Sequence, residues 1–393
     1  MADIKKLLTV MNKHDASDLY ITVDSPPCYR VNGIVRPAGE TELDEKTTYK
    51  LAYSLMNDKQ QVEFDTKKEQ NIALKVEGLG RYRVNIFMQR DAIGMVIRRI
   101  KTSIPTLEGL HLPDVLSKLS MSKNGLVLFV GATGSGKSTS LAAMIDYRNN
   151  NQAGHIITVE DPIEFIHPHK KSLVTQREVG MDTDSYQDAL KNALRQAPDV
   201  ILIGEIRDLE TMEAAINFAE TGHLCLATLH ANNANQAIER IMNFFPSERH
   251  KQIYMQLSLN LRGIVGQRLI PATNGARVPA VEVMLGTPRI KDLIHKGDIK
   301  DIKEAMEKGA ITGMQTFDMN LFDLYADGKI SQDTALKYAD SANNLRLKIK
   351  LTEDDTSAPN SLNAFTDKKK NQDSKNQDGK TMIKSSDIGF RKI

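Results

Sequence analysis

The chain of 393 residues contains no tryptophan, two cysteines and few aromatic residues, 5% in all. Cys28 and Cys225 lie far apart, so they form no C-x-x-C zinc pattern, and we expect a reducing compartment. No apolar run approaches the roughly 20 residues that a membrane-spanning helix needs. The N-terminal residues also lack the sustained apolar segment and small-residue cleavage site of a signal peptide. We therefore expect a soluble, cytoplasmic protein without a transmembrane segment.

Excess charge of either sign is also lacking. The chain has 52 Lys and Arg residues against 50 Asp and Glu residues, which leaves a net charge of +2. Proteins that bind nucleic acid usually carry a clear basic excess, so this balance argues against a nucleic-acid partner. With 40% apolar and 26% charged residues, the composition is that of a folded globular protein, and the length allows two domains and a tail.

What the chain does contain is a glycine-rich loop between a predicted strand and a predicted helix. Residues 125–140 read GLVLFVGATGSGKSTS, in which G-x-x-x-x-G-K-S follows an apolar, strand-forming run. Glycines let backbone N–H groups converge on phosphate oxygens, and the N-terminus of the next helix adds partial positive charge. Lys137 can reach the β- and γ-phosphates, and the Ser138 hydroxyl can ligate Mg²⁺. The pattern predicts an ATP site made of Gly131, Ala132, Thr133, Gly134, Ser135, Gly136, Lys137, Ser138 and Thr139.

Two acidic segments follow other predicted strands. The strand at 155–159 leads into an acidic pair that begins with Glu160, and the strand at 200–203 leads, after a glycine, into Glu205. Ligand sites of α/β proteins form at the carboxyl ends of such strands. Glu160 could orient or deprotonate an attacking water, and Glu205 could hold Mg²⁺ together with Ser138. Solvated loop acids are the alternative interpretation.

Polar residues on further strands leave two interpretations open. Thr228 and His230 lie two residues apart and therefore on one side of their strand, where His230 could sense the γ-phosphate or serve structure alone. Arg81 and Arg83 alternate onto one face, and Arg98 follows on the next strand-like segment. Such arginines can neutralise charge on a phosphoryl group, but most strand arginines coat the surface.

Strand–helix alternation from residue 124 predicts a mostly parallel sheet covered by helices, hence an α/β fold. The predicted strands are 126–130, 155–159, 200–203 and 225–229. The predicted helices are 185–196, with Asp184 as its N-cap, 210–220, which ends at Gly222, and a long one at 248–268. A hairpin is predicted at 269–283, around a turn at 273–275.

The remaining segments suggest how the domains are divided. The first hundred residues mix strands with short helices, including a hairpin at Asn32 and Gly33 and a helix at 47–57. The polar sequence after residue 351 has too few apolar residues to form a core. We predict an α+β domain at 1–100, a linker at 101–123, an α/β domain at 124–285, a helical region at 286–350 and a disordered tail at 351–393.

Several sequence blocks together resemble type IV pilus retraction ATPases of the secretion-ATPase superfamily, the PilU branch more than the PilT branch. These blocks are SDLYITVDSPPCYRVNG, GRYRVN, VGATGSGKSTSLAAMI, HIITVEDPIEF, GEIRDLETMEAA, AETGHLCLATLHANNA and GMQTFD. The resemblance implies a RecA-like ATPase domain preceded by a PAS-like domain. It also implies ATP and Mg²⁺ as ligands, a homo-hexameric ring, and pilus retraction (twitching motility) driven by ATP hydrolysis.

The resemblance further implies a role for each candidate residue. Glu160 matches the catalytic glutamate and Glu205 the Walker B acid. Thr228 and His230 lie in the His box. The arginines that reach the nucleotide from the N-terminal domain are matched by Arg81, Arg83 and Arg98.

The implied partners are an inner-membrane platform protein at the base of the pilus and a PilT-type ATPase ring. The chain departs from the PilT branch at residues 288–295, where PRIKDLIH replaces an AIRNLIRE-like segment. An ATP-binding accessory subunit of another motor is therefore an alternative. A secretion or pilus-extension ATPase is another, but those usually carry a tetracysteine zinc module that two distant cysteines do not supply. A nucleic-acid translocase is disfavoured by the near-neutral charge.

Overall fold

The computed structural model describes residues 2–31, 33–100 and 103–357. The chain divides into two compact units, one containing residues 1–100 and the other residues 101–352. The domain boundaries drawn from the sequence stay a prediction. Within the described residues, no helix is both long and apolar enough to cross a membrane.

The first unit is an antiparallel six-stranded sheet with three helices. In chain order its elements are α1 (Ala2–Lys13), β1 (Asp18–Ile21), β2 (Cys28–Val31), β3 (Ile34–Pro37), α2 (Glu45–Tyr53), α3 (Asp58–Lys67), β4 (Glu69–Val76), β5 (Gly80–Gln89) and β6 (Ala92–Ile100). The strand order is β3-β2-β1-β6-β5-β4. Val31 pairs with Ile34, which confirms the predicted hairpin. Gly33 in its turn has a φ of 81°, and Asn32 lies outside the described residues.

Both ends of the helix predicted at 47–57 are wrong, and its last predicted residue is the N-cap of a second helix. Helix α2 starts at Glu45 behind the N-cap Asp44 and ends at Tyr53. Asn57 then opens α3, because its side chain accepts from Gln60 N while the Gln60 side chain accepts from Asn57 N. This reciprocal capping makes Asn57 a start signal rather than the last residue of the preceding helix.

The second unit is a seven-stranded sheet with helices on both faces. Its elements begin with α4 (Val115–Ser120), β7 (Gly125–Val130), α5 (Lys137–Asn151), β8 (Gly154–Glu160), β9 (Ser172–Glu178), α6 (Tyr186–Ala193), β10 (Val200–Ile206), α7 (Leu209–Glu220) and β11 (Leu224–Leu229). They continue with α8 (Ala234–Phe244), α9 (His250–Asn260), β12 (Leu261–Pro271), β13 (Arg277–Leu285), α10 (Pro288–Lys296), α11 (Ile302–Lys308), α12 (Phe317–Ala326), α13 (Gln332–Tyr338) and α14 (Ala342–Ser357).

The order of this second sheet is β13-β12-β7-β11-β10-β8-β9. All of its neighbours pair in parallel except β12 with β13. Every residue of β7 and β11 is buried, which explains the unbroken apolar runs of these two strands. The four strands predicted from the sequence are present as β7, β8, β10 and β11. The helix predicted at 210–220 is α7, followed as predicted by Gly222 with a φ of 98°.

The long helix predicted at 248–268 is wrong in its second half. Helix α9 ends at Asn260, and β12 starts at Leu261 between β7 and β13. The apolar positions of residues 261–268 are compatible with a helix or a strand. Hydrogen bonding to β7 stabilises the strand. Gly266 shows how tightly that strand packs, because a Cβ there would lie 2.9 Å from the Phe317 ring. The predicted hairpin is present as β12 and β13, although its first strand begins earlier than predicted.

Two further segments bear on the predicted domain division. The linker was predicted at 101–123, and in the described part of that stretch Leu116 and Leu119 of α4 are buried in the core of the second unit. Arg148 of α5 donates to the carbonyls of Ser120 and Ser122 and fixes the end of α4. Helix α14 includes residues 351–357 of the predicted tail, and the rest of that tail lies outside the described residues.

Helix α6 begins one residue later than the sequence indicates. Ser185, not Asp184, has the extended backbone of an N-cap, with φ −151° and ψ 164°, and its Oγ accepts from Asp188 N at 3.0 Å. The regular helix ends at Ala193 and continues as a 3₁₀ turn through residues 194–196.

Ser185→Ala is therefore expected to lower the free energy of unfolding by about 1 kcal/mol, because the cap hydrogen bond is lost. Asp184→Ala is the matched control and should stay within about 0.5 kcal/mol of wild type. Urea unfolding of the two variants measures both values. A larger loss for Asp184→Ala would contradict the observed cap.

Candidate functional site

A cavity of about 540 Å³ opens where the carboxyl ends of the parallel strands meet. The residues that line it come from the carboxyl ends of four strands. They are Lys137 after β7, Glu160 at the end of β8, Glu205 near the end of β10 and His230 after β11. Parallel strands bring such positions to one edge of a sheet. The structure thus brings these four residues, all singled out from the sequence, to one cavity.

The phosphate loop, residues 131–138, connects β7 to α5 at the floor of this cavity. Gly131, Gly134 and Gly136 have φ values of 149°, 77° and 90°. At Gly131 a Cβ would lie 2.4 Å from the Gln267 carbonyl oxygen, so a side chain has no room there. No described side chain caps the first turn of α5, which leaves its N–H groups available for an anion.

The polar groups of the loop fit a phosphate-bearing ligand. Ser135 Oγ is buried and has no hydrogen-bond partner among the described residues. Lys137 Nζ donates to the carbonyls of Gly131 and Ala132 at 2.7 and 3.0 Å. Burial lowers the pKa of Lys137, with Glu205 and Glu164 opposing that shift. A buried hydroxyl, an ammonium group and an uncapped helix N-terminus together make a site for anionic oxygens.

The remaining loop residues take up two positions. The cavity is lined by Thr133, Gly134, Gly136, Lys137, Ser138 and Thr139. Gly131 and Ala132 instead line a smaller polar cavity, of about 360 Å³, which His230 also lines. Ser138 and Glu205 both face the larger cavity, and their oxygen atoms are of the kind that Mg²⁺ prefers.

Glu160 is largely enclosed by protein and faces the cavity from the end of β8. Its Oε1 accepts from Thr158 Oγ1 at 2.7 Å and from Gln176 Nε2 at 3.2 Å. Burial raises the pKa of the Glu160 carboxyl to about 7, while these hydrogen bonds and one from the Glu164 backbone oppose the shift. A carboxyl with a pKa near neutrality is suited to general-base work.

Glu205 joins the ends of β10 and β11. His230 Nε2 lies 2.5 Å from Glu205 Oε1, and Arg207 Nε pairs with Glu205 Oε2. Arg207 also reaches Asp161 Oδ2 at 3.2 Å, which ties in the loop after β8. Thr228 Oγ1 donates to the carbonyl of Gly204, next to Glu205. The predicted acid and the predicted His-box residues therefore form one connected group.

Two residues of this site were not predicted from the sequence. Arg207 lies two positions after Glu205, and that alternation was a usable signal for a shared face. Gln267 is buried and binds Ser140 Oγ through its Oε1 at 2.8 Å, behind the phosphate loop. No signal pointed to Gln267, because its strand was expected to be a helix.

The predicted arginines lie in the first unit. Arg83 and Arg98 are direct neighbours across β5 and β6, and Arg81 lies two residues from Arg83 on the same face. The opposite face carries the buried Tyr82, Val84 and Ile97. Asp18 pairs with Arg98 at 2.8 Å, and Arg81 Nε is buried without a partner among the described residues. Asp18 offsets part of the positive charge of the facing arginines. Their contact with a nucleotide stays a prediction.

Known proteins resemble this chain along most of its length. The family described as "Type II/IV secretion system protein" matches residues 1–346. The type IV pilus ATPase PilU of Pseudomonas aeruginosa is 56% identical, over 89% of this chain and 92% of that protein. The type IV pilus retraction ATPase PilT of the same organism is 44% identical, over 86% and 98%. A crystal structure of the pilus retraction motor PilT with bound ADP matches with a TM-score of 0.82 at 40% identity, over 87% of this chain and 98% of that chain.

The predicted fold, a RecA-like α/β unit after a smaller PAS-like α+β unit, is confirmed.

The raised pKa of Glu160 should make the free energy of unfolding depend on pH. Between pH 4.5 and about 7 the folded protein binds the Glu160 proton more tightly than the unfolded chain does, so wild-type stability falls as pH rises through that window. Glu160→Gln removes this dependence. The stability of the variant relative to wild type should therefore increase with pH over the window, by on the order of 3 kcal/mol, and level off above it.

Urea unfolding of both proteins at several pH values tests this. Burial also raises the pKa of Glu282 to about 7, but that carboxyl is present in both proteins and cancels from the difference. A difference that does not change with pH would contradict the assigned burial of Glu160.

Proposed function

The chain belongs to the type II/IV secretion system protein family, and from that premise we propose that it is an ATPase motor that hydrolyses ATP to drive type IV pilus retraction. The observation that carries this proposal is Glu160, a largely enclosed carboxyl with a pKa near neutrality on the same cavity as the phosphate loop. A loop that binds phosphate needs such a group beside it before it can turn ATP over. The names of the similar pilus proteins support the same activity.

In this proposal each side chain has a separate task. The phosphate loop and the first turn of α5 bind the phosphates, and Lys137 neutralises part of their charge. Ser138 and Glu205 hold Mg²⁺, which when bound neutralises phosphate charge. Glu160 accepts a proton from the attacking water. His230, which contacts Glu205, responds to the change of charge in the cavity after hydrolysis.

The proposed working form is a homo-hexamer at the cytoplasmic face of the inner membrane, against a platform protein of the pilus machine. The face of the first unit that carries Arg81, Arg83 and Arg98 supplies positive charge to a nucleotide held by a neighbouring subunit. The motor works alone or with a PilT-type ATPase ring.

A second candidate is an ATP-binding accessory subunit with little turnover of its own. The departure at residues 288–295, in helix α10, favours it, as does the higher identity to PilU than to PilT. The two candidates differ in whether the isolated protein turns ATP over.

Glu160→Gln is expected to lower kcat at least about 100-fold while it leaves ATP binding intact, because the base is lost but the phosphate contacts stay. Lys137→Ala should instead weaken ATP binding itself. Steady-state ATPase assays and titration with a fluorescent ATP analogue separate the two effects. Glu307→Gln, at an exposed position on α11, is the matched control. Wild-type turnover in Glu160→Gln would refute the assigned base.

The proposed ring predicts complementation between two inactive variants. Arg83→Ala subunits keep their phosphate loop, and Lys137→Ala subunits keep their arginines. When the two proteins are mixed and reassembled, some sites combine an intact loop with an intact arginine from the neighbour, so ATPase activity should return. Mass measurement in parallel should show hexamers. Absence of recovery in mixed hexamers would contradict the contribution in trans, and a wild-type hexamer that binds ATP without turnover would favour the accessory subunit.

A further inference from the structure

We propose that Gln176 is a positioning residue for Glu160, whose side-chain amide fixes the orientation from which that carboxyl acts as base. The inference rests on the proposed function of Glu160. Gln176 lies on β9, the edge strand of the second sheet, and faces Thr158 across the β8–β9 pair. The phosphate-loop motifs and the strand-end acids gave no indication of it.

The two side-chain donors at Glu160 share one oxygen of its carboxyl group. Thr158 Oγ1 and Gln176 Nε2 both donate to Oε1, and neither donates to Oε2. Two donors from neighbouring strands define the plane and direction of the carboxyl group more closely than one. The oxygen that takes the proton from water is then placed by the other oxygen's hydrogen bonds.

The Gln176 amide has only one orientation that satisfies its surroundings. Nε2 also donates to the Phe165 carbonyl at 2.9 Å, and Oε1 accepts from the His167 N–H at 2.8 Å. If the amide were turned over, its oxygen would face two acceptors and its NH₂ would face a donor. A side chain with donors alone or acceptors alone cannot make this set of contacts.

The same amide also binds the segment that follows β8, residues 163–167. Ile163, Phe165 and His167, which follow β8, are buried. Ile163 N donates to Glu178 Oε2 at 3.2 Å, so β9 anchors this segment at two points through Glu178 and Gln176. Strand β9 therefore positions both Glu160 and the segment at 163–167.

Hydrogen bonds, not a nearby cation, oppose the effect of burial on Glu160. Burial lowers the pKa of His167 in this segment to about 4, so its imidazole is neutral at neutral pH. The influences that lower the pKa of Glu160 are its hydrogen bonds from Thr158, Gln176 and the Glu164 backbone, whereas the charge of the Glu164 carboxylate raises it. Loss of the Gln176 bond should therefore move the pKa of Glu160 higher still.

The test uses full-length protein with Gln176→Met, which has similar length but no amide, and Gln176→Glu, which keeps an acceptor for the His167 N–H. Gln187→Met, at an exposed position on α6, is the control. The measurements are kcat, the ATP dissociation constant and the pH profile of kcat with Mg²⁺ in excess. We expect kcat to fall by roughly 10- to 100-fold at neutral pH with ATP affinity retained, and the acid limb to move to higher pH.

Thr158→Val provides a second route if the Gln176 variants fold poorly. It removes the other Oε1 donor at nearly constant volume and leaves the contacts of residues 163–167 in place. Its acid limb should move in the same direction. In a Glu160→Gln background, Gln176→Met should lower the residual rate little, because the group that it positions is absent.

Unchanged kcat in Gln176→Met, or a lower kcat with an unmoved acid limb, would overturn the positioning role. An equal further loss in the Glu160→Gln background would do so as well. These outcomes are distinct from failure of the proposed function, in which Glu160→Gln itself would retain full turnover.

Discussion

The carboxyl group of Glu160 lies between two opposing influences, and the candidate site depends on their balance. Burial at the end of β8 disfavours its charged form, and hydrogen bonds from Thr158, Gln176 and the Glu164 backbone favour it. Burial alone would place the pKa of the carboxyl higher, and the hydrogen bonds alone would place it lower. Together they keep the pKa near 7, where one group can both accept and release a proton during turnover.

The parallel sheet supplies the frame for this balance. Because β7, β8, β10 and β11 run in one direction, the phosphate loop, Glu160, Glu205 and His230 meet around one cavity. The outer strands contribute supporting groups. Gln267 on β12 holds the first turn of α5 through Ser140, and Gln176 on β9 holds Glu160. The centre of the sheet thus places the reacting groups, and its neighbouring strands orient them.

Local sequence was enough to predict most of these central elements. The buried strands β7, β8 and β10 read as apolar runs ended by glycine or acid, and the phosphate loop has a spacing that few other structures require. Local sequence failed where distant pairing decided the outcome. Residues 261–268 suit a helix until β7 is beside them, and neither Gln176 nor Gln267 is adjacent in sequence to the group that it supports. The N-cap of α6 was predicted wrongly for a different reason. Asp184, which is adjacent to the observed cap Ser185, is an equally good cap by residue type.

The measurement that tests the account most directly is an infrared titration of the carboxyl groups, taken as wild type minus Glu160→Gln. The subtraction removes Glu282 and the surface acids and leaves the signal of Glu160. As the pH rises, the band of the protonated carboxyl is expected to disappear with a midpoint near pH 7. A midpoint in the ordinary range of glutamate, near 4.5, would show that burial does not set the proton affinity of this group and would contradict the account.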